Sequence, residues 1–270
     1  MSSDVAARLG EIYADLPQGE RAIARVLLDD YPYAALGSLR TLADRAGVSP
    51  PTASRLVGRL GFAGFAEFQE AVRTGARSRL RAFVDEPSDV ESAAGQLRTA
   101  LDECLAAVTG AQLSAAATRI AQAGSVWAVG GRLSELAAEY LVRQVASLRP
   151  GVRHLPGSIP ERARVLLDVT GADLLVAYDF RRYSEQTARF VTAARDRGAR
   201  LLLITDAWES PLAEYADVLI RLPREAAGPI DPMMLSIAVT ELLLVAVAGH
   251  LDPEQRLASL EELTQTLSRS

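Results

Sequence analysis

The sequence predicts two folds in tandem: an all-α N-terminal domain built on a helix–turn–helix, then an α/β three-layer sandwich with a five-stranded parallel sheet. Three observations predict it. Residues 1–84 read as helices only. Residues 125–222 alternate short apolar β-type runs with amphipathic stretches, the pattern of a parallel sheet covered on both faces. Between them, Asp85 to Ser92 (DEPSDVES) is polar and holds a proline. The expected division is therefore a helical domain over 1–84, a linker over 85–92 and the α/β domain over 93–270.

Composition narrows the function classes. The chain has 270 residues, 49% apolar and 23% charged, with a net charge of −5, enough for one large or two modest domains. Cys104 is the only cysteine, which excludes an intramolecular disulfide and a multi-cysteine metal site and fits a reducing cytoplasm. With only His154 and His250 besides, no metal and no cofactor are expected. All 29 basic residues are arginines. That excludes a Schiff-base lysine, a P-loop lysine and a lysine base, and makes every fixed cation a guanidinium suited to phosphate or carboxylate.

Met1 to Asp15 carries Asp4, Glu11 and Asp15 and no signal-type apolar core, so a cytoplasmic location is expected. Met233 to Leu251 is about one membrane span long, but Glu241 lies in its middle, with Ser236, Thr240 and His250 besides. It lacks flanking basic clusters and reads as a buried or interface helix, with no membrane partner.

Charge is uneven. Residues 40–81 hold 8 Arg against 3 acids, whereas 85–270 hold 18 Arg against 25 acids. A basic module on an acidic chain is the footprint of a nucleic-acid-binding domain. In that module Ser38 can cap a helix with Leu39, Leu42, Ala43 and Ala46 on one face. Gly47 suits a left-handed stop, and Val48 follows as a core plug. Ser49 is a second N-cap, and Pro50 and Pro51 fall in a first turn, where a missing N–H costs little. The next helix, Thr52 to Leu60, puts Ala53, Leu56, Val57 and Leu60 inside. Helix, tight glycine turn and helix with polar residues at its start is the arrangement a DNA-reading helix needs. The candidate DNA contacts are Ser49, Pro51, Thr52, Ser54, Arg55 and Arg59, with Arg40 and Arg73 as phosphate contacts. Phe62, Phe65 and Phe68 read as core of this domain.

The run from Ser38 to Phe62 (SLRTLADRAGVSPPTASRLVGRLGF), continuing AGFAEFQ to Gln69, resembles the N-terminal domain of RpiR-type bacterial transcription regulators. The resemblance implies a helix–turn–helix domain followed by a SIS (sugar isomerase) domain, and it covers essentially the whole chain.

In the second domain the strand candidates are Ser125–Gly130, Val152–Leu155, Asp173–Asp179, Arg200–Thr205 and Val218–Arg221. Helices fit Ser134–Ser147, Ile159–Thr170, Ser184–Arg197, Pro211–Tyr215 and Pro232–Ala248, and a last one starts at Asp252–Pro253. Ligands on such sheets bind outside the carboxyl ends of the strands, which singles out three loops. Gly130-Gly-Arg-Leu-Ser134 opens a helix, and its N–H groups could attract an anion or only make a tight turn. Asp179-Phe-Arg-Arg-Tyr-Ser184 sets two arginines at a strand end, for a ligand or for a salt bridge. In Thr205-Asp-Ala-Trp-Glu-Ser210, Thr205 and Ser210 could bond a ligand or cap the next helix. Cys104 and Trp127 read as packing residues, and Trp208 as loop packing or a ligand cover.

The segment from Ile204 to Val218 looks like the SIS family's third-strand segment. Gly130 and Ser134 match its first loop and Ser184 its second. The resemblance implies that these loops hold the phosphate of a phosphosugar. The chain departs from the family where Arg132 replaces a second glycine, and where Asp179, Arg181 and Arg182 replace Ser, Ser and Gly. Two consequences stay open. Either a more anionic ligand, a phosphosugar or sugar acid, is held by Arg132, Arg181 or Arg182. Or these side chains fill the pocket, with Asp179 pairing one of them, and no phosphosugar binds.

A sugar-phosphate isomerase needs a positioned base. His154 and His250 fall at strand or helix ends, and Glu135 and Glu185 fall in first turns, where acids are favoured anyway. No catalytic residue is named, and the expectation is a regulator rather than an enzyme. The apolar 233–251 helix is expected to help form a homodimer, with dimers that could pair into a tetramer, on a roughly palindromic double-stranded DNA operator.

Overall fold

The computed structural model describes residues 5–29, 31–85, 90–180, 183–207, 210–223 and 233–268. The chain forms two compact units that divide between Gly95 and Gln96.

The first unit is helical: α1 (Val5–Ile12), α2 (Gln18–Asp29), α3 (Tyr33–Leu36), α4 (Leu39–Arg45), α5 (Pro50–Arg59) and α6 (Phe65–Asp85). Its core forms where α2, α4 and α5 meet, through the buried Ile23, Leu27, Leu42, Ala43, Ala53, Leu56 and Val57. Ser38 caps α4 by accepting the Thr41 N–H at 3.0 Å. Gly47 takes φ +65°, and the chain turns so that Val48 N–H reaches Ala43 O at 3.0 Å. A side chain would strain that left-handed stop. Ser49 holds the N-cap position of α5, but its hydroxyl pairs with Thr52 Oγ1 at 3.0 Å rather than with a backbone N–H. The expected side-chain cap is thus replaced by a hydroxyl pair. Phe68 is buried, with its ring 5.6 Å from Phe62 and 5.7 Å from Phe65, so the three rings pack together as their spacing predicts.

The expected linker is shorter than its composition suggested. Helix α6 reaches Asp85, and α7 (Val90–Ala107) already holds Val90, Glu91 and Ser92. Glu91 in a first turn favours a helix start there.

The second unit adds α8 (Gly110–Gln122), β1 (Val126–Gly130), α9 (Glu135–Leu148), β2 (Val152–His154), α10 (Ile159–Asp168), β3 (Leu174–Tyr178), α11 (Glu185–Arg195), β4 (Arg200–Asp206), β5 (Val218–Leu222), α12 (Met233–Ala248) and α13 (Glu254–Ser268). The sheet order is β2-β1-β3-β4-β5, and every pair is parallel. Alternate residues face opposite layers. Val126 and Ala128 enter a core with Ile120, Leu141 and Leu243, whereas Val129 enters another with Phe190, Val191 and Leu212. That is the expected three-layer sandwich. The expected helix at Pro211–Tyr215 is a single 3-10 turn. Cys104 is buried in the first core, where desolvation pushes its thiol up to about 11, so it packs as a small apolar residue.

Helix α12 buries Leu235, Val239, Leu243 and Val247 and leaves Glu241 and Val245 exposed. Thr240 Oγ1 lies 2.7 Å from Ser236 O and 2.7 Å from the Tyr178 hydroxyl, a buried tether between α12 and β3. No described residue of α13 is buried. No described helix is long and apolar enough to cross a membrane.

Candidate functional site

Two surfaces carry the predicted chemistry. The first is the leading half of α5. Ser49, Pro50, Pro51, Ser54 and Arg55 are exposed, as is Arg40 on α4. Thr52 is half-buried because Gly19 of α2 leaves room for its methyl group, which lies 3.2 Å from where a Cβ would stand on that glycine. Arg40 and Arg55 have no ion-pair partner among the described residues, so their guanidinium groups face solvent. Arg59 differs. Its Nε donates to Glu20 Oε2 at 2.7 Å, and Glu20 is buried. The structure therefore gives Arg59 a brace between α5 and α2, which its place on the polar face of the helix did not announce. Arg73 on α6 lies 3.5 Å from Glu70.

The second surface is the carboxyl edge of the sheet. The register Gly130↔Tyr178↔Ile204 aligns the last residues of β1 and β3 with a point two residues before the end of β4, which brings the three loops to one edge. In the first loop a Cβ on Gly130 would lie 2.4 Å from Glu135 N and Ser134 C, so only glycine lets the α9 helix start this close to β1. Ser134 stands before α9 but makes no cap bond to it. Its hydroxyl accepts Gly131 N–H at 2.9 Å and lies 2.9 Å from Tyr178 O, stitching the first loop to β3. Ser184 does cap its helix, accepting Thr187 N–H at 3.2 Å.

Asp179 sits at the centre of this edge and is almost wholly buried. Its Oδ1 accepts Ser184 N–H at 3.3 Å, and its Oδ2 accepts the Ser210 hydroxyl at 2.5 Å. Ser210 in turn accepts Leu212 N–H at 3.1 Å, and its own N–H donates to Thr205 Oγ1 at 3.1 Å. Thr205 and Ser210 are fully buried. Burial pushes the Asp179 carboxyl up to about 6, against the opposing pull of the Ser210 and Ser184 hydrogen bonds, and the nearby charge of Asp206 adds to the rise. Asp206 also accepts the Tyr183 hydroxyl at 2.8 Å. Every predicted hydroxyl of this edge is thus engaged by protein, and the described partners of Asp179 are Ser210 and Ser184. The expected Arg181 and Arg182 lie outside the described residues, as does Trp208, and of Arg132 only the backbone is described.

A pair that sequence reasoning missed stands beside the first loop. His154 Nε2 lies 3.1 Å from Glu135 Oε1, while Glu135 Oε2 accepts Gly130 N–H at 3.0 Å. The reading that no acid and base come together is corrected by the sheet order. Placing β2 outside β1, with His154 opposite Ala128, carries the imidazole to the start of α9. No group of three or more His, Cys, Asp or Glu among the described residues is arranged to hold a metal.

Two family models match the chain: the helix-turn-helix domain of the rpiR family over residues 3–77 and the SIS domain over residues 119–246. An HTH-type transcriptional regulator of Haemophilus influenzae is 23% identical over 81% of this chain and 80% of its own. Another, from Caldanaerobacter subterraneus subsp. tengcongensis, is 21% identical over 91% of each. The sugar isomerase domain of the RpiR transcription factor from Sphaerobacter thermophilus superposes with a TM-score of 0.60 at 25% identity, covering 66% of this chain and 98% of that one. The Vibrio vulnificus NanR protein, complexed with ManNAc-6P, superposes with a TM-score of 0.62 at 15% identity over 99% of this chain and 100% of that one, a likeness of fold. With both models matched in order along one polypeptide, and transcriptional regulators among its relatives, the chain belongs to the RpiR-type family of helix–turn–helix transcription regulators with a SIS domain.

Proposed function

We propose that this protein binds a roughly palindromic operator as a homodimer and that its SIS domain senses a small anionic metabolite that alters operator affinity. The observation that carries the reading is the exposed start of α5, which follows the turn after Gly47 and presents Ser54 and an Arg55 with no ion-pair partner among the described residues. Helix N-terminal residues reach base edges in the major groove, and guanidinium groups hold phosphates or guanine. Ser49, Pro51, Thr52, Ser54, Arg55 and Arg40 are the proposed contacts, and Arg59 supports them by bracing α5.

The effector site is the carboxyl edge of the sheet, with Gly130, Arg132, Ser134, Asp179, Arg181, Arg182, Ser184, Thr205 and Ser210 in its three loops. A phosphosugar such as the one bound to NanR is one candidate class, and a sugar acid is the other. The reading is of a regulator without catalysis. Glu135 Oε2 is engaged by Gly130 N–H, and its Oε1 lies 3.1 Å from His154 Nε2, which has no hydrogen-bond partner among the described residues, so we read Glu135 as holding the loop rather than as a catalytic base. The exposed Val245 on α12 and the exposed Leu260, Leu263 and Leu267 on α13 supply apolar surface for dimer formation.

The test is fluorescence anisotropy of the full chain on its operator with a panel of sugar monophosphates and sugar acids. An effector shifts the operator Kd, because it binds the free and DNA-bound states with different affinity. A panel that binds in titration calorimetry yet leaves the operator Kd unchanged contradicts the sensing half of the proposal.

A further inference from the structure

We infer that a cleft between α10 and the edge of the sheet, near the amino ends of the strands, is a second small-molecule site, and that it takes a small aromatic carboxylate. The cleft lies at the opposite end of the strands from the three effector loops, and the inference does not depend on the operator or effector readings.

Strand β2 is the edge of the sheet, and its Arg153 is in register with Trp127 of β1. Neighbours in register share a face, here the face that α10 covers. The Arg153 guanidinium carbon lies 5.4 Å from the centre of the Trp127 ring, within cation–π range. Helix α10 brings Arg164, Val165 and Asp168 to the same place, yet none of its residues is buried. Between helix and strands remains a cleft of about 300 Å³, walled by Trp127, Val165 and Val169 and charged by Arg153, Arg164 and Asp168. That volume is at the lower end of the range for ligand pockets and suits a single-ring compound.

The charges give the cleft its preference. Neither Arg153 nor Arg164 has an ion pair or a hydrogen bond among the described residues. Arg164 and Asp168 are one helical turn apart, but the basic residue comes first, the less favourable order, and no ion pair closes between them. The acid-first pairs Glu139–Arg143 and Glu185–Arg189 do close, at 2.6 and 3.0 Å. Asp173 also lines the cleft, but its charge is already met by hydrogen bonds. Its Oδ1 accepts Ser125 N–H at 2.9 Å, and its Oδ2 accepts the Thr170 N–H at 2.8 Å and hydroxyl at 3.0 Å. Two open guanidinium groups therefore face one open carboxylate.

An excess of one positive charge suits a monoanion, and a guanidinium takes a carboxylate through two parallel hydrogen bonds. A phosphate monoester carries close to two negative charges near neutral pH, and the second would meet Asp168. The indole and the two valines offer contact area that a flat apolar body can use and an inorganic anion cannot. An aryl carboxylate meets both demands.

The test titrates benzoate into the full-length chain and follows the indole N–H resonance of Trp127, identified by its loss in Trp127→Phe. Benzoate should move that resonance and saturate at millimolar concentration. Benzamide, which keeps the ring without the charge, and sulfate, which keeps charge without the ring, should each bind at least about tenfold more weakly. Arg153→Ala and Arg164→Ala should each weaken benzoate by about tenfold. Both side chains are exposed, so the melting temperature should stay unchanged, and either variant alone suffices if the other fails to fold. Asp168→Asn should tighten benzoate, because it removes a repelling charge. A Trp127 resonance that benzoate does not move overturns the proposal. So does a benzoate affinity equal to that of benzamide or of sulfate, or one that survives both arginine substitutions.

Discussion

Arg59, in the last turn of α5, donates its Nε to Oε2 of Glu20, in the first turn of α2, at 2.7 Å. The carboxylate is buried and the arginine is half exposed. The bond ties α5, the helix proposed to face DNA, to its neighbour across 39 residues of sequence. Removing the arginine alone leaves a buried carboxylate without its partner. Arg59→Ala should therefore lower the melting temperature by a few degrees, and adding Glu20→Gln should recover part of the loss. A double-mutant cycle in thermal melts measures the coupling. If the two substitutions act additively, the brace does not exist in solution.

Arg55 stands on the same helix with no such partner among the described residues. Arg55→Ala should leave the melting temperature unchanged and weaken operator binding by about 1–3 kcal/mol if the side chain reads a base. If it holds a phosphate instead, the loss is uniform across sequences and the salt slope falls by about one. Unchanged affinity on operator and scrambled DNA removes Arg55 from the interface.

Arg149 closes the end of α8. Its Nη1 donates to Ala121 O at 3.1 Å and Nη2 to Ala123 O at 2.6 Å, with Ile120 O also in contact. These are carbonyls that a helix end leaves without partners. Partial burial lowers the guanidinium from its ordinary value, though not enough to lose its charge. Arg149→Ala should destabilise the second unit by roughly 2 kcal/mol, from charged hydrogen bonds lost at once. Chemical denaturation checks it, and DNA affinity below the transition should not change.

Asp179 gives a pH dependence of stability with a definite sign. Its carboxyl is raised by burial to about 6 from an ordinary value of 3.8, so the folded state holds the proton more tightly than the unfolded chain does. Stability is highest below 3.8 as far as this group is concerned. It falls as pH rises to about 6 and is flat above that. Asp179→Asn should therefore be more stable than the wild type at pH 8, by about 1–3 kcal/mol, with the difference gone near pH 4. Urea unfolding at the two pH values measures it, and a constant difference contradicts the assignment.

The sheet was legible because its strands are short apolar runs with turn residues at their ends. Each predicted strand from Ser125 to Arg221 lies within about one residue of the observed one. Ser38, Gly47 and the two prolines marked the helix–turn–helix because capping and stopping are local. What escaped was long-range. Neither the Glu20–Arg59 bond nor the Asp179–Ser210 bond has a local signature, since each joins residues more than thirty apart. His154 met Glu135 only because β2 adds outside β1, and the order of strands is not written in any one segment. The start of α7 inside the polar stretch escaped for another reason. A run such as DEPSDVES reads as linker by composition, while Glu91 can equally open a helix.

The most direct measurement is fluorescence anisotropy of the full-length chain on DNA from its own upstream region, across a salt series. If a dimer makes roughly 6–10 phosphate contacts, affinity should fall about 10³–10⁵-fold between ~50 and ~200 mM salt, with a clear preference over scrambled DNA. Affinity that matches the scrambled control at every salt concentration, together with a genome-wide selection that enriches no fragment, would contradict the account.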